Sequence, residues 1–238
     1  MELSAKPQSV ACSYDANYRT PNYFQDRRWL YRNFVRALVA KAKLGPGARL
    51  LDAGCGQGFF TSLFAESGLS SLGMDLSSVG IAAAQKSWSR SGAQFEVGDV
   101  RTLNYDQEFD AVFCRSCSLY NSPDFATNRQ LTDALLNYVR PGGTLIFDYY
   151  SKPGRISAGW RNHSFQDIKS HFSVYPDAEL YFSLRLDALM LGRFAFTPLV
   201  TRFALLASRW APVGGELVAF VRAPRPPGKK TGFSSFTI

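Results

Sequence analysis

The sequence contains little histidine and cysteine, the two residue types that most often hold zinc in proteins. It has two histidines and four cysteines among 238 residues. Only Cys114 and Cys117 form a C-x-x-C pair, and no second pair or neighbouring histidine completes a four-ligand set. The pair follows a predicted buried strand, where small side chains commonly fill a core. We therefore expect no metal site, and thiol-disulfide chemistry at this pair stays an alternative.

Long uninterrupted hydrophobic runs are also absent, and we expect no secretory leader. The most apolar region, Leu184 to Trp210, is interrupted by arginines, an aspartate and Pro198. It fails the requirement of about 18 consecutive apolar residues for a membrane span. The first residues lack a basic segment followed by an apolar stretch. These absences predict a cytoplasmic location with no membrane span, and they leave peripheral membrane contact open.

Acidic residues are scarce outside the middle of the chain, although the whole chain has a net charge of only +8. Residues 1–50 carry nine basic and three acidic side chains, a net charge of +6. Residues 51–150 carry six and eleven, a net charge of -5, and residues 151–238 carry twelve and five, a net charge of +7. Basic flanks favour an anionic substrate, an acidic partner, a membrane surface or nucleic acid. A solvated basic surface without any partner is the alternative.

The acidic centre contains a glycine-rich segment. Residues 50–58 read Leu-Leu-Asp-Ala-Gly-Cys-Gly-Gln-Gly, an apolar run, an acid and three glycines on alternate positions. Glycine lets a backbone turn sharply and approach a ligand closely, so the segment predicts a nucleotide-cofactor loop after a buried strand. Its G-x-G-x-G spacing differs from the G-x-G-x-x-G of dinucleotide sites. The difference disfavours a nicotinamide oxidoreductase, which stays the alternative enzyme class.

Acidic residues follow the next two predicted strands. Asp75 ends the second strand 23 residues after Asp52, close to the spacing of about 20 at which an acid meets ribose hydroxyls. Asp99 follows the third strand. A fourth strand over 109–114 and the sequence Arg-Pro-Gly-Gly at 140–143, before the fifth strand, complete the pattern.

Together these segments resemble the class I S-adenosylmethionine-dependent methyltransferases over about residues 45–150. The resemblance implies S-adenosyl-L-methionine as cofactor, S-adenosyl-L-homocysteine as product and no metal. It implies an in-line displacement, in which the protein aligns a nucleophile with the sulfonium methyl group and excludes water. In this family an acid after the third strand lies beside the adenine amino group, the role expected of Asp99. The cofactor-binding residues predicted on this basis are Asp52, Gly54, Cys55, Gly56, Asp75, Leu76, Asp99, Val100, Arg115, Tyr18 and Tyr23.

The predicted fold is α/β, a Rossmann-like three-layer sandwich around a mostly parallel seven-stranded sheet with an antiparallel last strand. A single domain over 1–223 comprises an N-terminal helical cap (1–44), a cofactor-binding core (45–150) and a substrate-covering part (151–223). A mobile tail follows over 224–238, because that segment is rich in proline, glycine and lysine.

Two segments outside the core are expected to shape the site. In this family the segment before the first helix often folds over the cofactor, so Tyr18 and Tyr23 are expected either to close the site or to anchor in the core. A helical insertion over about 184–213, between strands six and seven, is expected to break near Pro198. It extends the core, covers the substrate or forms a dimer interface. The chain is expected to be a monomer or a homodimer.

Two residues after the fourth and fifth strands are predicted to be catalytic. His163 follows the fifth strand, on the carboxyl side of the sheet where ligands bind in open α/β folds, and it is the better of the two histidines as a general base. Tyr120 follows the fourth strand and is expected to orient the acceptor. A structural role is the alternative for each. The other histidine, His171, is expected to pack or to face solvent.

The acceptor is predicted to be a small molecule or a lipid-like molecule, and to be anionic or hydrophobic. Nucleic acid is disfavoured because the segment after the fourth strand lacks the Asn/Asp-Pro-Pro-aromatic motif of enzymes that methylate base amino groups. Two further classes stay open. One is a non-catalytic or regulatory protein that keeps the cofactor fold, and the other is an RNA or protein methyltransferase.

Overall fold

The fold is built around one seven-stranded sheet. A computed structural model of the protein describes residues 15–16, 18–19, 28–122, 125–151, 162–184, 192–210 and 214–224, without the side chains of 125–127 and 193. Within these residues the strands are β1 (Arg49–Ala53), β2 (Ser70–Asp75), β3 (Gln94–Val97), β4 (Phe109–Arg115), β5 (Val139–Ser151), β6 (Glu179–Leu184) and β7 (Gly215–Arg222). Their order in space is β3-β2-β1-β4-β5-β7-β6.

Six α-helices lie in the described part of the chain. They are α1 (Arg28–Ala42), α2 (Phe59–Glu66), α3 (Ser78–Ser87), α4 (Phe125–Asn137), α5 (Phe165–Phe172) and α6 (Pro198–Trp210). Two short 3-10 turns cover Ser118–Asn121 and Gly192–Phe194. Among the described helices, none combines the length and the hydropathy needed to cross a bilayer.

The strand pairing confirms the predicted sheet. β1 to β5 pair in parallel, whereas β7 runs antiparallel to both β5 and β6. β1 is buried at four of its five positions and β7 at seven of its eight. Strands that are covered on both faces are apolar along their whole length, which explains why β1 reads as an apolar run rather than as an alternating one.

Side chains of β1 point alternately into two separate cores. Leu50 packs with Tyr31 and Phe34 of α1 on one face of the sheet, and Leu51 packs with Leu135 of α4 and Phe172 of α5 on the other. Successive residues of a strand point to opposite faces, so one strand connects both helical layers. The three-layer architecture is therefore confirmed.

The strand order places the candidate site. The chain runs outward from β1 to β3 and then returns to β4 on the other side of β1. In such open sheets, ligands bind at the carboxyl ends of the strands where the order reverses. We call this side of the sheet the carboxyl edge. It is marked by the last residues of the five parallel strands, Ala53, Asp75, Val97, Arg115 and Ser151.

Some predicted boundaries differ from the structure. The Arg-Pro-Gly-Gly segment at 140–143 lies inside β5, where Phe109 pairs with Val139 but Ala111 pairs with Thr144. The segment is therefore a bulge in β5. The break predicted near Pro198 is the start of α6, in keeping with the preference of proline for the first turn of a helix. Of the predicted tail, only residue 224 lies among the described residues, and Tyr23 lies outside them.

Candidate functional site

The glycine loop connects the carboxyl end of β1 to α2. Gly54, Gly56 and Gly58 have φ angles of 82°, 55° and 72°, a region that glycine occupies without the steric cost that a side chain brings. The backbone N-H groups of Gly54 and Cys55 both donate to the carbonyl oxygen of Met74 in β2, at 2.8 and 3.0 Å. The loop is thereby fixed against the end of the neighbouring strand.

Asp75 ties the same loop to the start of α3. Its carboxylate accepts hydrogen bonds from the N-H of Gly56 at 2.8 Å and from the N-H of Ser77 at 2.9 Å. The side chain is buried, and burial raises the pKa of its carboxyl group. Each carboxylate oxygen has a second lone pair, so Asp75 keeps acceptor capacity for a ligand.

Asp52 lies within β1, just before Ala53 and the glycine loop. Its Oδ2 accepts a hydrogen bond from the hydroxyl of Thr61 in α2, at 2.6 Å. Burial raises the pKa of Asp52 to about 7, and the nearby charge of Asp75 adds to that effect. Asp52 therefore holds a proton for part of the time at neutral pH.

Residues before α1 reach the loop. An ideal Cβ built on Gly56 would lie 2.9 Å from the hydroxyl oxygen of Tyr18, and one built on Gly80 would lie 2.9 Å from the Tyr18 ring. The carbonyl of Tyr18 accepts a hydrogen bond from the Gln57 side chain at 2.8 Å. The ring of Tyr18 therefore covers the backbone of both glycines. This is the position expected of a residue that closes the site, the role predicted for Tyr18 as one of two alternatives.

Asp99 follows β3 and pairs with a neighbouring arginine. Nη2 of Arg101 lies 2.6 Å from Oδ2 of Asp99, and the Arg101 backbone N-H donates to Oδ1 at 3.0 Å. The side-chain hydrogen bond from Arg101 lowers the pKa of Asp99, so its carboxylate is ionised at neutral pH. Val100 is buried beside it and Leu76, after β2, is half-buried.

The described charges around the loop are mostly negative. Asp15 accepts a hydrogen bond from the Ser77 hydroxyl at 2.5 Å, and its charge contributes to the raised pKa of Asp75. Asp52 interacts electrostatically with Asp75 as well. Arg115 lowers the pKa of Asp52 but has carboxylate partners of its own. This arrangement favours a cationic ligand over a phosphate.

A buried ionic cluster joins β4, β5 and β7. Arg115 donates from Nη1 to Oδ2 of Asp148 at 2.6 Å and to Glu216 through both Nη atoms at 3.1 Å. Its guanidinium also lies over the ring of Phe60, 4.8 Å from the centroid. Sequence reasoning named Arg115 but missed both acids, because neither belongs to a recognisable motif.

Asp148 is the acid of this cluster whose pKa burial raises most clearly. Two acids face one guanidinium, and Asp148 has no exposed surface. Burial first, and then the charge of Glu216, raise the pKa of Asp148 well above its usual range. Its Oδ1 is buried without a hydrogen-bond partner in the described structure, so this oxygen has unused hydrogen-bonding capacity.

His163 and Tyr120 lie together after β5 and β4, and both are buried. Nε2 of His163 donates to the backbone carbonyl of Tyr120 at 2.8 Å, because a carbonyl can only accept. The Tyr120 hydroxyl lies 2.8 Å from the hydroxyl oxygen of Thr132, which lies 2.9 Å from Nε2 of His171. Burial lowers the pKa of His171 to about 4. The catalytic roles predicted for His163 and Tyr120 stay predictions.

The cysteine pair lies at the same edge. Cys114 is buried at the end of β4, and a hydrogen bond between the two thiols raises the pKa of Cys114 and lowers that of Cys117. A Cβ built on Gly54 would lie 3.6 Å from the sulfur of Cys117. Across the described ranges, no group of three or more metal-binding side chains comes together.

Comparisons with known proteins relate this chain to methyltransferases. Residues 50–143 match the family model described as "Methyltransferase domain". Phosphoethanolamine N-methyltransferase 1 of Zea mays is 29% identical over 155 residues, which cover 60% of this chain and 30% of that protein. Demethylmenaquinone methyltransferase of Mycobacterium marinum (strain ATCC BAA-535 / M) is 27% identical over 235 residues, 94% of each chain. The chain thus spans about a third of the length of the phosphoethanolamine methyltransferase and nearly all of the demethylmenaquinone methyltransferase.

The solved structures share the fold. Phosphoethanolamine N-methyltransferase 2 of Haemonchus contortus, in complex with phosphomonomethylethanolamine and S-adenosylhomocysteine, superposes with a TM-score of 0.60 at 16% identity. The match covers 94% of this chain and 59% of that one. The match over residues 50–143 shows a methyltransferase domain in that part of the chain, and the shared sheet agrees with the fold predicted from the resemblance to class I S-adenosylmethionine-dependent methyltransferases.

Proposed function

We propose that the protein transfers the methyl group of S-adenosylmethionine to a small-molecule acceptor by in-line displacement. The observation that carries this proposal is the negative field at the glycine loop, where Asp15, Asp52 and Asp75 lie close together. The cofactor carries a sulfonium and an ammonium group, so it matches this field. The pyrophosphate of a dinucleotide would be repelled by it.

The chain offers a distinct group for each part of the cofactor. Gly54 carries no side chain, so the turn leaves room there for the amino-acid end, and Tyr18 covers the neighbouring Gly56. Asp75 accepts from the ribose hydroxyls with its remaining lone pairs. Asp99, kept ionised by Arg101, accepts from the adenine amino group. The bound cofactor supplies an electrophilic methyl carbon, and the protein has to align the acceptor and exclude water.

Leu76, Val100 and Cys55 complete the predicted contacts on the cofactor. Tyr18 covers the loop from the N-terminal side, which limits water access, and Tyr23 stays a prediction because it lies outside the described residues. Arg115 is engaged with Asp148 and Glu216, so its proposed role is to hold the ends of the strands in position beside the cofactor.

Asp52 is proposed to exchange a proton when the cofactor binds. Its pKa of about 7 reflects burial without a cationic partner of its own. A cofactor ammonium group close to it would favour the ionised form and lower that pKa. Cofactor binding near pH 7 is then accompanied by proton release. The heat of binding would consequently depend on the ionisation enthalpy of the buffer.

The acceptor class follows from the flanks of the core. The relatives are named for phosphoethanolamine, which is anionic and polar, and for demethylmenaquinone, which is hydrophobic. Residues 151–238 of this chain carry a net charge of +7 together with a large apolar content, which suits an anionic or a hydrophobic acceptor. His163 and Tyr120 are proposed to support the acceptor side, and an amine or carbon nucleophile would need no protein base. The cytoplasmic location and the monomeric or homodimeric state stay predictions.

Calorimetry tests the cofactor part of the proposal. We expect S-adenosylmethionine and S-adenosylhomocysteine to bind and NADH not to bind. Asp75→Ala should weaken S-adenosylmethionine binding by roughly 1.5–3 kcal/mol, the contribution of hydrogen bonds to a charged group. Asp106→Ala is the matched control, because Asp106 is exposed. If the wild type and Asp75→Ala bind S-adenosylmethionine with equal affinity, Asp75 does not contact the cofactor.

Methyl transfer needs a separate test. Radiolabelled S-adenosylmethionine is incubated with the protein and fractionated cell extract, and label is expected in the small-molecule or lipid fraction. Label confined to RNA or protein would contradict the proposed acceptor class. Tight cofactor binding without transfer into any fraction would favour the alternative, a non-catalytic protein of the same fold.

A further inference from the structure

The helix α6 presents a continuous apolar stripe to solvent. Leu199, Phe203, Leu206 and Trp210 are 78%, 63%, 54% and 85% exposed. Their spacing of i, i+4, i+7 and i+11 places them within an arc of about 60° on a helix of 3.6 residues per turn. Soluble proteins scatter single apolar residues over their surfaces, whereas a row of four large side chains marks an interaction surface.

The opposite face of α6 is firmly attached to the protein. Thr201 and Ala204 are buried, and the Thr201 hydroxyl accepts a hydrogen bond from the backbone N-H of Phe182 at 3.2 Å. Phe182 belongs to β6, the outermost strand of the sheet. The helix therefore covers a strand edge with one face, and this attachment fixes the orientation of the stripe toward solvent.

The charges beside the stripe have one sign. Arg202 and Arg209 are exposed and lie along one flank of it, and the sequence of residues 192–210 contains no acidic residue. A second copy docked symmetrically on this face would bring arginines near arginines with no carboxylate on the helix to offset them. An anionic partner with an apolar interior fits both features, and that combination is the chemistry of a lipid surface.

The position of the stripe relates it to the site. β6 ends at Leu184 and β7 begins at Gly215, and these residues pair with each other beside Ser151 at the end of β5. The segment that contains α6 is thus attached at the carboxyl edge at both of its ends. Contact through α6 would hold that edge of the sheet near the lipid.

We propose that α6 docks the protein on an anionic membrane surface. The apolar stripe lies at the boundary of headgroups and acyl chains, and Arg202 and Arg209 lie among the headgroup phosphates. This interaction is independent of methyl transfer, so it can fail while the proposed function holds.

The test is co-sedimentation with vesicles of phosphatidylcholine alone or mixed in equal parts with phosphatidylglycerol. The wild type is expected to sediment with the mixed vesicles, less so with phosphatidylcholine, and less at high salt because screening weakens the arginine contacts. The double variant Phe203→Ser, Trp210→Ser should lose binding to both kinds of vesicle by at least about tenfold. Arg202→Gln and Arg209→Gln should each lose about fivefold on the anionic vesicles only.

The control changes exposed apolar residues elsewhere. Val97 and Val174 are 55% and 48% exposed, and the double variant Val97→Ser, Val174→Ser should bind vesicles like the wild type. Circular dichroism and thermal melting verify that every variant is folded. A wild type that stays in the supernatant with anionic vesicles overturns the proposal. So does self-association, seen by light scattering, that Phe203→Ser, Trp210→Ser abolishes, because α6 would then be an interface between copies.

Discussion

The two halves of the sheet position their residues at the carboxyl edge in different ways. Near the glycine loop, Asp75 is held by backbone N-H groups of Gly56 and Ser77, which are 19 and 2 residues away in sequence. On the other side, Arg115 is joined to Asp148 and Glu216, which are 33 and 101 residues away. We call the half that contains the glycine loop the proposed cofactor side, and it is set by loop geometry within two β-α units. We call the half that contains the Arg115 cluster the proposed acceptor side, and it is complete only after β7 has joined the sheet.

The largest expected effect comes from removing the cation of the buried cluster. Arg115→Met leaves Asp148 and Glu216 facing each other without a guanidinium, and breaking such a buried set costs about 3–5 kcal/mol. Urea unfolding at pH 7 measures the loss. Arg90→Met, at an exposed arginine, should unfold like the wild type. If Arg115→Met lowers the free energy of unfolding by less than about 1 kcal/mol, the cluster does not hold β4, β5 and β7 together.

The pH dependence of stability sharpens the comparison on the proposed cofactor side. The folded-state pKa of Asp52, about 7, exceeds the value of about 3.9 for an unfolded chain. The folded protein therefore keeps a proton that the unfolded chain releases, and stability falls as the pH rises from about 4 to about 7. For the protein without cofactor, the contribution of Asp52 is on the order of 3 kcal/mol.

Asp52→Asn removes this titration. Denaturant unfolding at a series of pH values should show a smaller decline between pH 4 and 7 in the variant than in the wild type, while Asp106→Asn should leave the decline unchanged. Asp148 also has a raised pKa, so part of the decline remains in Asp52→Asn. Identical pH profiles for the wild type and Asp52→Asn would show that Asp52 titrates normally.

Substituting two glycines with positive φ angles distinguishes the cost of backbone strain from the cost of a steric clash. Gly58 and Gly68 both have positive φ angles, 72° and 89°. A Cβ on Gly58 would lie 2.4 Å from the Phe95 ring and 2.8 Å from Cβ of Ala84, whereas a Cβ on Gly68 would have no atom within 4 Å. Gly58→Ala should therefore lower the thermal stability more than Gly68→Ala, by about 1–3 kcal/mol for overpacking. Equal losses would mean that the loop relaxes freely.

The smallest effect is expected at a surface ion pair. Arg49 and Glu108 lie 3.2 Å apart with side chains that are 51% and 40% exposed. Exposed pairs of this kind contribute less than about 1 kcal/mol and are screened by salt. Glu108→Gln should change the free energy of unfolding by less than that, and by nothing measurable at high salt. A loss comparable with that of Arg115→Met would contradict the difference between buried and exposed charges.

Local sequence was sufficient for the proposed cofactor side of the fold. The glycines of the loop need positive φ angles that few other residues adopt, so their spacing identifies the turn, and the acids at the ends of β2 and β3 follow at regular intervals. The methyltransferase domain and the seven-stranded sheet predicted from them are confirmed. Which of these residues contact the cofactor stays a prediction.

The proposed acceptor side could not be predicted in the same way. Glu216 stands at the start of an apolar strand with nothing nearby in sequence to pair it with Arg115, and only the antiparallel return of β7 brings them together. The insertion was expected to be helical, but its pattern does not tell which face packs. In α6 the small residues Thr201 and Ala204 face the protein and the large residues face solvent, which is the reverse of the usual preference.

The shared carbonyl of Met74 has a consequence for protein engineering. The Met74 carbonyl oxygen accepts hydrogen bonds from the N-H groups of both Gly54 and Cys55. Inserting or deleting a residue in the loop would therefore break at least one of these two hydrogen bonds. Reporter peptides or circular-permutation breakpoints are therefore unsuited to residues 54–58. The turn at Gly92, where a Cβ would meet no atom within 4 Å, is the better place to open the chain.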